Sequence, residues 1–222
     1  MSLTPTKPEG GNDRQLPPAG THRAVLYKLI NLGTLTTEYK GQKKKQHKIR
    51  LFWELSDKMV EYEKDGEKIK APFSVGGKFT FSLGDQSHLY PIVTGMIGQG
   101  LTEDERWNFD IESLLGMSCL VSVVHDKTQD GISFAKIAST SPLIEGMDAP
   151  TQVNPTTILD VRKLTKEEID ELREYIKNDM MSSSEYHLRF LAPREDIKTG
   201  AAKVYEEQEV SDDEITEDDI PF

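Results

Sequence analysis

Residues 47–55 read His-Lys-Ile-Arg-Leu-Phe-Trp-Glu-Leu, and the strict alternation of that stretch constrains the fold more than any other feature of the chain. Successive side chains of a strand point to opposite faces, so Ile49, Leu51, Trp53 and Leu55 fall on one side and Lys48, Arg50, Phe52 and Glu54 on the other. The pattern predicts a half-buried strand with a cationic outer face carrying one ring, Phe52. The same parity sends Trp53 to the core.

Similar reasoning extends along the chain. Residues 22–32 form a strand-like run ending at Gly33, and the polar stretch 39–46 reads as a loop by composition. Residues 56–72 are charged and contain Asp65-Gly66, the signal of a small hairpin or excursion. Gly76-Gly77, read as a turn, opens a third strand with Phe79, Phe81 and Leu83 inward and Lys78 and Thr80 outward. Between 87 and 115 the apolar residues Leu89, Ile92, Val93, Met96 and Ile97 recur at helical spacing, Thr102 and Glu105 match a capping box, and Gly116 is a stop. Two further strands, 117–125 and 132–138, flank an Asp130-Gly131 turn. A capped amphipathic helix is then expected near 165–180, with Thr165 and Glu168 as its box and Ile169, Leu172 and Ile176 on one side.

Three strands, a helix and two strands make a mainly β chain with helices. That order fits the five-stranded Greek-key barrel known as the OB-fold, with its helix between strands three and four. Residues 21–145 would form that domain and 146–204 an extension holding the later helix. Residues 1–20, with four Pro and three Gly, would form a flexible arm, and 205–222 a disordered acidic tail.

The net charge of −11 does not by itself argue against a nucleic-acid partner. Residues 206–222 hold nine acids and no base, whereas residues 1–56 carry ten bases against four acids, and a partner meets the local field. The single Cys119 sits in an apolar run and excludes an internal disulfide. No apolar stretch is long enough to span a bilayer and the first residues lack a signal-peptide core, so a soluble, cytoplasmic protein is expected, in the host cytoplasm if phage-encoded.

The basic residues fall where an OB-fold usually binds, on strands two and three and the loops after strands one and four. Lys40, Lys43, Lys44, Lys45, Lys48 and Arg50 are interleaved with Tyr39, His47 and Phe52. Cations follow phosphates and rings cover the flat faces of unpaired bases, the combination that single strands require. Arg23, Lys78, Lys127 and Lys136 extend the set, with Tyr27 and Phe134 as secondary stacking candidates. The competing interpretation is a solvated lysine loop with Phe52 packed beneath the excursion.

At the other end, Asp218-Asp219-Ile220-Pro221-Phe222 closes the acidic segment with two apolar residues and a carboxylate. A ring and a terminal carboxylate together suit capture in a basic pocket. This ending resembles the partner-binding tip of bacterial single-stranded DNA-binding proteins. Residues 20–145, through Gly33, Trp53-Glu54-Leu55, Ser87, Leu115-Gly116 and the strand ending at His125, also resemble a group of phage proteins associated with single-stranded DNA binding. The resemblance implies an OB-fold, a DNA groove at the basic loop and a tail that recruits replication or recombination proteins. The long Gly/Gln/Pro-rich linker of the bacterial family is replaced here by a helix and polar sequence, so tetramer formation is not carried over.

Enzymatic readings find little support. The five His residues show no paired metal-ligand spacing, the acids cluster in the tail, and no phosphate-binding loop of the GxxxxGK[ST] kind occurs. No cofactor and no metal are expected. The sequence thus points to a non-catalytic protein that binds single-stranded DNA without sequence preference and recruits partners through residues 218–222. The alternative is a protein adaptor or DNA mimic that docks on host replication proteins through its acidic tail.

Overall fold

The structure, a computed structural model, describes residues 15–192 apart from 40, 65, 129 and 130. The tail that carries Asp218, Asp219, Ile220, Pro221 and Phe222, most of the N-terminal arm, Lys40 and the side chain of Tyr39 lie outside the described residues.

Among the described residues six strands make one sheet: β1 (Gly20–Tyr39), β2 (Gln42–Lys64), β3 (Glu67–Thr80), β4 (Ser118–Lys127), β5 (Ser133–Ser141) and β6 (Thr157–Asp160). The first five pair antiparallel in the order β3-β2-β1-β4-β5, and β6 adds to β1 in parallel, setting Lys28–Asn31 against Thr157–Asp160. Between β3 and β4 lie α1 (Leu89–Ile97), α2 (Glu103–Trp107) and a 3-10 turn, Ile111–Leu114. The expected capping box is present: Glu105 N–H donates to Thr102 Oγ1, and Thr102 N–H donates to the Glu105 carboxylate. Gly98 ends α1 at φ 75°, so the expected continuous helical region is three short pieces.

Alternation in β2 holds through Leu55. Ile49, Leu51, Trp53 and Leu55 are buried with Leu26, Leu29, Val75, Val121 and Val123, and α1 closes this core with Leu89, Val93 and Met96. The Trp53 indole N–H meets no oxygen or nitrogen acceptor; the Cys119 thiol beside it is a weak one.

Four sequence expectations change. The polar stretch 39–46 is not an open loop: β1 and β2 pair down to Tyr39 and Gln42 around a turn containing Gly41. A ribbon beyond the core has two wet faces, so it carries no hydrophobic alternation by which to be recognised. Gly76-Gly77 is not a turn but the middle of β3. A Cβ at Gly76 would stand 2.5 Å from the Phe52 ring and one at Gly77 2.6 Å from the Phe79 ring, so both glycines let rings lie on the strand. Phe81 is not inward: alternation ends with β3 at Thr80, Ser82 N–H turns back to the Thr80 carbonyl, and the Phe81 ring is 42% exposed. The helix near 165–180 is two helices, α3 (Lys166–Asp170), with the expected Thr165/Glu168 box, and α4 (Glu174–Met181). A short α5 (Ser184–Tyr186) then runs into a π-turn, His187–Leu191.

These C-terminal elements build a second core on the outer face of β1 and β2. Ile30 and Leu32 of β1 are buried there with Val161, Ile169, Ile176, Met180 and Tyr186. Gly33, at φ 82°, permits the closest approach: a Cβ there would lie 2.5 Å from Glu185 Oε2, which accepts from Thr34 N–H at 2.7 Å. No helix among the described residues is long and apolar enough to cross a membrane.

Candidate nucleic-acid interface

The β1–β2 ribbon presents the basic residues. Lys43, Lys44 and Lys45 stand opposite Glu38, Thr37 and Thr36 and are exposed. Strand parity puts Lys44 on one face of the ribbon and Lys43 and Lys45 on the other, so both faces are cationic. No ion pair among the described residues engages these three lysines.

At the base of the ribbon His47 and Phe81 meet, and Lys48 faces Thr80 on the other side of the strand pair. Phe81 N–H donates to the His47 carbonyl at 2.8 Å, and the two rings pack edge to face with centroids 5.4 Å apart. His47 Nε2 lies 2.7 Å from Asn31 Oδ1, which also accepts from Gly33 N–H. Burial lowers the His47 pKa, which favours the neutral imidazole at pH 7. Lys48 donates to Thr80 Oγ1 at 2.7 Å; burial, then repulsion from Lys78, lowers its pKa. This junction therefore offers a part-exposed ring at the base of the lysine ribbon. Phe81 belongs to it although sequence parity assigned it inward; its only sequence signal is position, directly after the last outward residue of a strand.

The outer face of β2 and β3 is less open than expected. Arg50 Nη2 and Lys78 Nζ both donate to the Asp179 carboxylate of α4, at 2.8 and 3.0 Å, and the Arg50 guanidinium lies 4.7 Å from the Tyr175 ring. Phe52 packs against the second core, not beneath the 56–72 hairpin. Neither Arg50 nor Phe52 is open to a ligand in this arrangement, because the C-terminal extension covers them. Tyr27 is also removed from the stacking set: its ring is 8% exposed and its hydroxyl hydrogen-bonds Ser74 Oγ at 3.0 Å. Burial raises its pKa.

The remaining candidates lie elsewhere. Arg23 donates to Asp57 at 2.7 Å and to the Asp148 carbonyl, on the rim of a shallow basin of about 510 Å³ that also includes His22, Lys58, Ile144 and Met147. Phe134 sits opposite Asp126 on the β4–β5 hairpin and is 38% exposed. Lys136 pairs with that same Asp126 at 2.5 Å, and Lys127 is exposed at the end of β4. The structure thus sets Phe81 against His47 at the base of the ribbon that carries Lys43–Lys45, and places Lys48 on the other strand face, in line with Arg50 and Lys78 under α4. Arg23 lies in the separate basin. The chain matches no protein-family model and no curated protein.

Proposed function

We propose that this protein is a non-catalytic single-stranded DNA-binding protein whose five antiparallel strands form an OB-fold barrel. The observation that carries the reading is the run of exposed lysines on the β1–β2 ribbon, at whose base the part-exposed Phe81 ring lies on His47 while Lys48 stands on the other strand face. The strand order β3-β2-β1-β4-β5 and the helices between β3 and β4 support this reading, and in an OB-fold the loop of the first hairpin contributes to the ligand groove. Lysines on both ribbon faces follow a flexible phosphate chain, and Phe81 receives a base edge-on to His47. A single strand supplies both partners; a duplex hides its base faces.

The test is a fluorescence-anisotropy titration with labelled oligonucleotides at several salt concentrations. If Lys43, Lys44, Lys45 and Lys48 each neutralise one phosphate, the log-log salt slope is about −3, at roughly −0.7 per contact. Replacing Lys43–Lys45 by Ala lowers affinity and flattens the slope. Equal affinity for duplex and single strand, or no salt dependence, overturns the reading in favour of a protein adaptor.

Residues 218–222 supply the second half of the proposal: the acidic segment steers toward a basic rim while the Phe222 ring enters a pocket on a replication or recombination protein. Pull-downs with intact protein and with a chain ending at Asp219 decide it. Equal capture by both removes the tip from the function.

A further inference from the structure

Arg50 and Lys78 are direct partners in the β2–β3 register and both project from the outer face. Like charges directly opposite each other destabilise a sheet, so the pair requires an anion. Asp179 supplies one: Oδ2 accepts from Arg50 Nε and Nη2 at 3.2 and 2.8 Å, and Oδ1 from Lys78 Nζ at 3.0 Å. A single carboxylate, two oxygens wide, thus bridges two cations on adjacent strands, as the non-bridging oxygens of a phosphodiester would.

The helix does not depend on this contact for its seat. Ile176 and Met180, 6% and 0% exposed, anchor α4 in the second core, where Ile30, Leu32 and Tyr186 receive them. Asp179, and the Tyr175 ring that lies 4.7 Å from the Arg50 guanidinium and is itself 38% exposed, can therefore turn away while α4 stays docked. An anion can arrive from the open side, since the Lys78 side chain is 41% exposed. Lys48 stands two residues along β2 from Arg50, about 7 Å at strand rise, and extends the cationic row to the base of the lysine ribbon.

From this geometry we infer that Arg50 and Lys78 form a phosphodiester site that Asp179 occupies until nucleic acid displaces it. The inference rests on the proposed single-strand binding and names a further part of that surface. Asp179 sets how much affinity reaches this stretch of the groove: the ribbon lysines and Lys48 engage first, and the strand continues across Arg50 and Lys78 only by exchanging a phosphate for the carboxylate.

The experiment compares intact protein with Asp179→Asn, which keeps the size and one acceptor oxygen but removes the charge. Both are titrated with a labelled oligothymidylate at several salt concentrations. The variant is expected to bind several-fold tighter at low salt, with a slope steeper by about 0.7 for each phosphate gained. Wild-type and variant proteins that bind with the same affinity and slope overturn the inference while leaving single-strand binding intact. Absence of binding by both overturns the proposed function itself, and this site with it. If the variant fails to fold, the Arg50 Nε–H resonance of the intact 15N-labelled protein decides the question. Saturating oligonucleotide must move it, and an unmoved resonance refutes the site.

Discussion

Glu54 and Asn154 tie the C-terminal extension to β2. The Glu54 carboxylate, fully buried, accepts from the Asn154 backbone N–H at 2.8 Å and from its side-chain amide at 2.6 Å, and also from Val153 N–H and Ser56 Oγ. Strand parity puts Glu54 on the outward face, and residues 153–154 turn that face into an interior one. An acceptor-only group thus satisfies four donors.

Glu54→Gln is expected to destabilise the fold, because its amide would direct N–H groups at donors. The cost is on the order of 2 kcal/mol, the scale for a mismatched buried polar group. For a domain of this size that lowers Tm by about 4–8 °C. Thermal unfolding followed by circular dichroism measures it; an unchanged Tm would show that the extension is held without this contact.

Phe52 and Phe81 separate the two uses of aromatic residues on this sheet. Phe52→Ala removes a ring from the second core, costing roughly 3 kcal/mol of stability. Phe81→Ala leaves stability nearly unchanged and removes about 1–3 kcal/mol of single-strand affinity, the scale of one stacked base. Its salt slope stays as in the parent. A Phe81→Ala protein that binds DNA like the parent would take this ring out of the interface.

The contrast shows what was legible in the sequence. The inward face of β2 could be read because a core imposes its own period on a strand: Ile49, Leu51, Trp53 and Leu55 are where parity puts them. Parity names a face, however, and not what covers it. Nothing local to Arg50, Phe52 or Glu54 encodes the extension more than 90 residues later that seats Asp179, Ile176 and Asn154 over them. Phe81 was misread because its strand stops one residue earlier. The lysine ribbon was visible as charge but not as strand, since its two wet faces erase the pattern.

Cys119 is expected to be inert in the folded protein. Burial pushes its thiol pKa up to about 12, so the nucleophilic thiolate is scarce at neutral pH. A disulfide-exchange reagent at pH 8 should label it only through unfolding, with labelling becoming fast once urea has opened the fold. Rapid stoichiometric labelling of native protein would contradict its position beside Trp53.

The junction of ribbon and extension should also make the fold sensitive to mild acid. Burial lowers the His47 pKa below its ordinary value near 6.5; nearby Glu185 opposes that shift and Arg162 reinforces it. The unfolded chain therefore takes up a proton at His47 before the folded chain does. Stability must fall as pH drops through about 6.5, and this loss levels off below the folded pKa. Two carboxylates add a second step with the same sign. Burial opposes ionisation of Glu185 and of Asp160, but hydrogen bonds from Thr34 to the first and from Arg162 to the second outweigh it, and both pKa values are lowered. Their contribution is complete above the unfolded carboxylate range and is lost as pH falls through the folded values. Urea unfolding at pH 7.5, 6.5, 5.5, 4.5 and 3.5 should show a decline that begins near neutrality. In His47→Asn, which has no proton to gain, the early part of that decline should be smaller, while the part below about pH 4.5 remains. Parallel pH profiles for the two proteins between 7.5 and 5.5 would mean that His47 titrates in the folded state as it does in water, and that its buried seat against Asn31 and Phe81 is open to solvent in solution.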